Sequence, residues 1–230
     1  EQLLTGGYSN FGLLFVVDEE EISRGAVEAN KIPNQCKYLI NGEPTGNKMA
    51  RGSKGSLRFK IITKGKAAHS AYPEMGESAI EKLLDILNDI RNINWPGHDI
   101  LGETLINIGT IRGGIQANVI PPQAEALFLL RIVTSVSEIK ALIEKAVNGR
   151  GQIEYLSDNE PVFTEALDGY ETMVAAFTTD IPKLTNWGKP ILFGPGDILD
   201  AHTDHERISK QQLLNAVDMY KKMVIKLLSF

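Results

Sequence analysis

The sequence contains almost no cysteine. Cys36 is the one thiol among 230 residues, so an internal disulfide is excluded. A single cysteine fits a reducing compartment, and we expect the protein in the cytoplasm. No histidine lies near Cys36 in the sequence, and we therefore predict an unreactive thiol in the core.

The chain also lacks a surplus of positive charge and a long apolar run. Lys and Arg number 24 against 29 Asp and Glu, which gives a net charge of -5. A nucleic-acid surface needs a basic stripe, and the sequence has none, so we expect no nucleic-acid partner. No apolar run approaches the roughly 20 residues of a membrane span, so we expect no membrane partner.

An apolar run followed by acids is the most informative stretch. Leu13–Val17 leads directly into the four acids Asp18–Glu21. The run predicts a strand buried on both faces, and ligands bind at the carboxyl ends of such strands. Adjacent carboxylates repel one another and need a cation or a raised pKa. The stretch therefore indicates a metal site or a general base, with a solvated acidic turn as the alternative.

Flanking segments predict the rest of a mixed α/β unit. Two further strand ends lead into polar side chains, Glu43 after the second strand and His202 after the last one. The predicted elements are helix Ser23–Asn30, strand Tyr38–Asn41, helix Gly169–Thr178, strand Pro190–Phe193 and helix Ser209–Leu228.

The middle of the chain has the order of a split βαβ, ferredoxin-like domain. We place it at 53–157, with 1–52 and 158–230 forming the other domain and with crossings at Gly46–Gly52 and Pro161–Asp168. The predicted elements are strand Ser56–Thr63, helix Glu77–Ile93, strands Thr104–Ile111 and Glu125–Val133, helix Val136–Val147 capped by Ser135 or Ser137, and strand Gln152–Leu156.

Three polar residues of this middle domain are candidates for a site. His69 lies in a loop of small residues, which suits either a surface position or a ligand. Asn118 lies between a glycine pair and a proline pair and could simply bond its own turn. Arg131 lies among apolar neighbours and needs a partner, either structural or a substrate.

The strand-end groups of the other domain form a donor set for a metal. Glu19, Glu20, Glu43 and His202 supply three carboxylates and an imidazole, ligands suited to Zn²⁺, Mn²⁺ or Co²⁺. Their spacing in the sequence alone proves nothing, because they lie far apart.

Five motifs in order resemble the M20 metallopeptidases, also called the ArgE/DapE/aminoacylase-1/carboxypeptidase G2 group. The resemblance covers nearly the whole chain, and its specificity comes from the combination. The motifs are Asp18-Glu19-Glu20 with Gly25-Ala26, Gly42-Glu43-Pro44-Thr45, Gly65–Pro73 around His69, Asn107-Ile108-Gly109 through Asn118-Val119-Ile120-Pro121 to Arg131, and Gly194-Pro195-Gly196-Asp197 with Ala201-His202-Thr203 and Glu206.

This resemblance implies an α/β fold and a metal-dependent reaction. The fold would be a zinc-exopeptidase-like catalytic domain with an inserted ferredoxin-like α+β lid, through which the protein forms a homodimer. A complete site would hold two Zn²⁺, with Co²⁺ or Mn²⁺ possible. Glu20 and His202 would bind one metal and Glu43 the other, while Glu19 would be the general base.

The resemblance also implies roles for substrate contacts. His69 would donate to the oxyanion from the lid, in many members across the dimer, and Gly194 would line the substrate. Asn118 and Arg131 would hold the substrate carboxylate. His205 departs from the family, which has Asp or Asn there, and we predict a surface histidine.

The family's remaining metal ligands and its base-orienting aspartate would lie upstream of position 1. We therefore expect a missing N-terminal segment as partner and little activity from this chain alone. The predicted reaction is hydrolysis of an N-acyl amino acid, as in acetylornithine deacetylase or a desuccinylase. The alternatives are a dipeptidase or carboxypeptidase of the same family, and an incomplete chain acting as a scaffold or dimerisation module.

Overall fold

The computed structural model describes residues 1–229 and divides the chain into two compact units. One comprises Glu1–Ser53 and Val162–Phe230, and the other comprises Lys54–Pro161. In chain order the elements are α1 Gln2–Thr5, α2 Arg24–Ala29, β1 Tyr38–Asn41, β2 Met49–Ser53, β3 Gly55–Lys64, α3 Ala79–Arg91, β4 Gly97–His98, β5 Gly102–Glu103, β6 Leu105–Gly113, β7 Gln123–Ile132, α4 Val136–Val147, β8 Gln152–Asn159, β9 Val162–Phe163, β10 Thr172–Ala175, β11 Lys189–Leu192 and α5 Lys210–Leu228.

The first unit is built on a mixed sheet in the order β1-β11-β2-β10, with β9 also paired to β2. Strands β1 and β11 run parallel and end together, with Asn41 opposite Leu192. Because parallel neighbours end at one edge of a sheet, the segments after both strands meet there. Helix α5 covers the sheet with Met223 and Leu227, which pack against Met49, Ile191 and Phe193.

The second unit is a four-stranded antiparallel sheet in the order β6-β7-β3-β8. Strand β7 alternates between buried and half-buried residues along its length, as expected for a sheet with one face covered. Helices α3 and α4 bury their apolar faces in the core of this sheet. The rings of Phe59 and Phe128, on paired strands, stack at 4.6 Å. The predicted split βαβ order is confirmed.

Hydrophobic periodicity and capping residues located the longer helices correctly. The hydroxyl of Ser135 accepts from the N–H of Glu138 and begins α4, which decides between Ser135 and Ser137. Ser209 caps α5 in the same way by accepting from Gln212. Ser23 precedes α2 in the left-handed region and makes no side-chain capping bond.

Several predictions about the first unit are wrong. Leu13–Val17 is not a strand, and the side chain of Phe15 is 86% exposed. A strand requires a neighbouring backbone to bond, and within residues 1–229 no strand pairs with this run. The predicted helix Gly169–Thr178 instead contains β10, whose backbone bonds to the parallel strand β2. Cys36 is exposed, so the predicted core thiol is also wrong.

Both predicted crossings contain short strands of the first unit's sheet. Met49–Ser53 forms β2 and Val162–Phe163 forms β9, and the two pair antiparallel. Among residues 1–229, no helix combines the length and the apolar character that a membrane crossing requires.

Candidate active site

Glu19 and Glu20 lie on a tight loop that begins α2. The N–H of Ser23 donates to the carbonyl of Asp18 at 2.7 Å, and the N–H of Gly25 donates to Val17 at 3.1 Å. A Cβ at Gly25 would lie 2.5 Å from the nitrogen of Val17, so only glycine permits this approach. The acids are therefore presented by a folded-back loop and not by a strand end.

Glu43 is held where the segments following β1 and β11 meet. The hydroxyl of Thr45 donates to the carbonyl of Lys48 at 2.6 Å and lies 3.1 Å from the carbonyl of Gly194. The N–H of Gly194 donates back to that hydroxyl at 3.0 Å. Gly46 adds a bond to the carbonyl of Gly196 at 2.8 Å. We call these bonds, made by 45–47 to 194–196, the Thr45 clip.

His202 lies on the loop after β11, next to Glu20. Its Nε2 is 3.5 Å from Oε2 of Glu20, and both side chains are more than two-thirds exposed, at 71% and 72%. The backbone of His202 has a φ of 60°, and its N–H donates to Oε2 of Glu206 at 3.0 Å. The bond to Glu206 stabilises the backbone of this left-handed turn. An ion pair so exposed contributes little stability by itself.

Burial and neighbouring negative charge raise the pKa of two carboxyls in this region. Burial raises the pKa of Glu43 from its ordinary value of 4.5 to about 7, with further contributions from Glu19, Asp180 and Glu20. Burial also raises the pKa of Glu19, as do Asp180 and Glu20, while His202 lowers it. The structure thus brings Glu19, Glu20, Glu43 and His202 into one electrostatic cluster, which we call the acidic cluster.

Asp180 is a member of this cluster that sequence reasoning missed. Its side chain is 2% exposed, and Oδ1 has no hydrogen-bond partner within residues 1–229. The residue follows β10 and lies just beyond the predicted helix Gly169–Thr178. Had that strand been recognised, an acid just beyond its end would have been a signal.

The second unit brings His69 and Asn118 together. His69 pairs with Val119 in a β-bridge, and the N–H of Ser70 donates to the carbonyl of Asn118 at 3.0 Å. Nδ1 of His69 accepts from the N–H of Ala71 at 3.1 Å. The neutral ring therefore carries its proton on Nε2, where it can act as a donor.

Arg131 lies on β7, opposite Ser56 on one side and Leu105 on the other. It is half-buried, and burial lowers its pKa. Within residues 1–229 it makes no ion pair, so its charge remains available to an anion. Gly194 contacts the backbone of Glu43 through the Thr45 clip, which is a structural role. His205 is exposed, and its N–H donates to the hydroxyl of Thr203 at 3.3 Å.

The acidic cluster contains donor atoms suited to a cation, but these atoms are not arranged around a common point. Among residues 1–229, no three His, Cys, Asp or Glu side chains form a group arranged to hold a metal ion. The donor types nevertheless suit a divalent metal, because carboxylate oxygen and imidazole nitrogen are its usual ligands. Burial is the main cause of the raised pKa of Glu43, and a bound cation would relieve the repulsion from neighbouring acids that adds to it.

Comparison with known proteins then identifies the family. Residues 51–152 match the family profile described as the M20 peptidase dimerisation domain. An M20 domain-containing protein of Schizosaccharomyces pombe is 37% identical over 220 residues, covering 94% of this chain and 55% of that protein. The chain belongs to the M20 peptidase family. A probable carboxypeptidase of Aspergillus flavus is 35% identical over 246 residues, covering 94% of this chain and 59% of the relative.

Solved structures share the fold of this M20 chain. A tripeptidase from Staphylococcus aureus matches with a TM-score of 0.66 at 17% identity, over 90% of this chain and 61% of that one. The dipeptidase Dug1p of Saccharomyces cerevisiae matches with a TM-score of 0.65 at 13% identity, over 88% and 62%. The M20 chain thus spans a little over half the length of its matched relatives.

Proposed function

We propose that this chain forms part of a metal-dependent hydrolase that cleaves peptide or amide bonds beside a free carboxylate. The observation that carries the proposal is the convergence of Glu19, Glu20, Glu43 and His202, four residues from three separate segments. Membership of the M20 family supports it, as do the carboxypeptidase and dipeptidase names of relatives.

Glu19 is the proposed general base. Its carboxyl lies in the acidic cluster with a raised pKa, which makes it a better proton acceptor near neutral pH than an ordinary glutamate. In this role it takes a proton from the attacking water and delivers it to the leaving amine. His202 limits the rise of this pKa and keeps Glu19 ionised more readily.

Glu20, Glu43 and His202 are the proposed metal ligands. A divalent cation such as Zn²⁺ supplies Lewis-acid polarisation of the scissile carbonyl and acidifies water when bound. Glu20 and His202 already lie next to each other, with 3.5 Å between Oε2 and Nε2. Further ligands would come from the part of the relatives that this chain does not match, which is the proposed N-terminal partner segment.

His69, Asn118 and Arg131 are the proposed substrate contacts of the second unit. Nε2–H of His69 would donate to oxygen as negative charge develops on it. Arg131, half-buried and without an ion pair within residues 1–229, would bind the substrate carboxylate. Asn118, in the loop before β7 and therefore at the other end of that strand from Arg131, is proposed as a separate substrate contact. In the first unit, Gly194 is proposed to line the substrate next to the backbone of Glu43, in addition to its structural contact there. The dimerisation-domain match supports a homodimer through the second unit.

Two substrate classes follow from this chemistry. Short peptides with a free C-terminal carboxylate are favoured by the names of the relatives, including a tripeptidase. N-acyl amino acids, as used by an acetylornithine deacetylase or a desuccinylase, present the same amide beside the same carboxylate and are the second candidate. A location in the cytoplasm stays a prediction from the single cysteine.

The test combines metal binding with hydrolysis. Zn²⁺ binding to the chelator-treated chain is measured by equilibrium dialysis, with Glu43→Gln as the site variant and Glu28→Gln, exposed and paired with Lys31, as control. We expect Glu43→Gln alone to weaken binding. Hydrolysis of dipeptides and of N-acetyl amino acids is then assayed with the protein expressed from its complete gene. Absence of both Zn²⁺ binding and hydrolysis would favour the scaffold alternative.

A further inference from the structure

Tyr220, a residue of α5 outside every sequence motif, lies beside the two backbone segments that flank Glu43. Its hydroxyl donates to the carbonyl of Phe193 at 2.6 Å. Its ring meets the ring of Phe193 edge-on, with centroids 4.9 Å apart and planes at 85°. A Cβ placed on Gly42 would lie 3.4 Å from the same hydroxyl. One oxygen atom is therefore bonded to the segment that follows β11 and faces the segment that follows β1.

These two segments are the ones that carry the Thr45 clip. Phe193 immediately precedes Gly194, whose backbone lies against the carbonyl of Glu43. The N–H of Phe193 donates to the carbonyl of Asn41 at 3.1 Å, so its backbone is held on both sides. A shift of the Phe193 carbonyl would move Gly194 and, through it, Glu43.

We propose that Tyr220 is a positioning residue for Glu43, fixing the carboxylate through the bonded carbonyl of Phe193 and through its place opposite Gly42. The inference rests on the proposed function, because it assigns the carboxylate of Glu43 to cation binding. Outer partners of metal ligands restrict ligand orientation and so set affinity. Tyr220 is proposed as such an outer partner, which acts on Glu43 through the backbone and is not itself a ligand.

The phenol of Tyr220 is suited to donate this hydrogen bond at any physiological pH. Burial raises the pKa of Tyr220 to about 12, with an additional contribution from the negative charge of Glu43. The hydroxyl therefore keeps its proton throughout the physiological range and always donates to Phe193. A serine or water at this place could rotate away, whereas the packed ring holds the oxygen in one position.

Tyr170 supplies a matched control within the same core. It also lies edge-on to Phe193, with centroids 6.2 Å apart, and its hydroxyl also donates to a backbone carbonyl, that of Met219, at 3.2 Å. The carbonyl it holds belongs to α5 and not to the segments around Glu43. Tyr220→Phe and Tyr170→Phe therefore each delete one hydroxyl, and only Tyr220→Phe removes the hydrogen bond to the carbonyl of Phe193.

The experiment uses two readouts on the parent chain and both variants. The first is amide hydrogen exchange at Gly194, Gly46 and Asn47 in chelator-treated protein, measured by NMR. The second is Zn²⁺ affinity by competition with a chromophoric chelator. For Tyr220→Phe we expect exchange at these amides to accelerate about five-fold, equivalent to one net hydrogen bond. We also expect Zn²⁺ affinity to fall about ten-fold or more.

Tyr170→Phe should lower the melting temperature as much as Tyr220→Phe while leaving both readouts at the parent value. Equal effects of the two variants on Zn²⁺ affinity would overturn the proposal, because general core loosening would then explain them. Faster exchange without any change in affinity would overturn it as well. If the parent chain binds no Zn²⁺ but Tyr220→Phe alone accelerates exchange, the metal function fails while the bracing of the Glu43 segment stands.

Discussion

Gly194 lies so close to Glu43 that no other residue fits between the two segments. A Cβ on Gly194 would lie 2.5 Å from the carbonyl oxygen of Glu43 and 3.1 Å from its nitrogen. Both obstacles are backbone atoms and cannot rotate aside. The contact explains why a glycine is needed two residues after β11, and it couples the geometry of the Thr45 clip to the backbone of Glu43.

Gly194→Ala should therefore destabilise the first unit. Overpacking against fixed atoms costs about 1–3 kcal/mol, and we expect a loss of that size in the free energy of unfolding from urea titrations. Gly12→Ala is the control, because a Cβ at Gly12 meets nothing within 4 Å. Equal stability of the two variants would show that the segments can move apart freely.

The raised pKa of Glu43 predicts a pH dependence of stability in chelator-treated protein. The carboxyl titrates near 4.5 when unfolded and at about 7 when folded, so between these values the folded state holds the extra proton. The contribution of this group is full below the lower value and is lost as the pH rises through the upper one. We expect unfolding free energies to decline across this window.

Glu43→Gln should flatten that decline, since the amide does not titrate. Glu28→Gln, an exposed acid in the same unit, should keep the parent slope. The measurement is a series of urea titrations at half-unit pH intervals. A parent chain whose stability rises across the window would be inconsistent with the buried carboxyl described above.

Asp180→Asn should stabilise the metal-free chain and weaken its binding of Zn²⁺. The charge of Asp180 raises the pKa of both Glu19 and Glu43, so removing it relieves repulsion in the metal-free chain. We expect a gain of about 1 kcal/mol in unfolding free energy at neutral pH. Zn²⁺ affinity should fall several-fold, because less negative charge faces the cation.

Asp218→Asn is the matched control for this pair of measurements, since Asp218 is exposed on α5 of the same unit. It should change neither quantity. A loss of stability in metal-free Asp180→Asn would indicate that the buried carboxylate is satisfied by a donor, contrary to its unpaired Oδ1.

In the second unit, Ser135→Ala should cost more stability than Ser137→Ala. Ser135 accepts from the N–H of Glu138 at 3.3 Å, and loss of such a cap costs about 1 kcal/mol. Ser137 bonds only the hydroxyl of Ser135, at 3.1 Å. Thermal unfolding of the two variants measures the difference, and an equal loss would argue against Ser135 as the cap.

The sequence pattern within each segment was sufficient to locate the longer helices and two strands of the second unit. Helix α4 begins and ends where the apolar spacing and the serine cap place it, and α3 and α5 agree within two residues. Strands β3 and β7 were also predicted, because one covered face imposes an alternating sequence. The order of the motifs indicated the M20 family before any contact between them was known.

The sequence by itself therefore determined the elements, the family and the chemical types of the candidate site. Only the tertiary structure decided which extended segments became strands, because a strand needs a backbone partner that local sequence does not reveal. Among the described residues 1–229 it gave Leu13–Val17 no partner strand, and it made β10 from a predicted helix. It alone placed Asp180 and Tyr220 beside Glu43, since burial and electrostatic proximity arise from residues far apart in the chain.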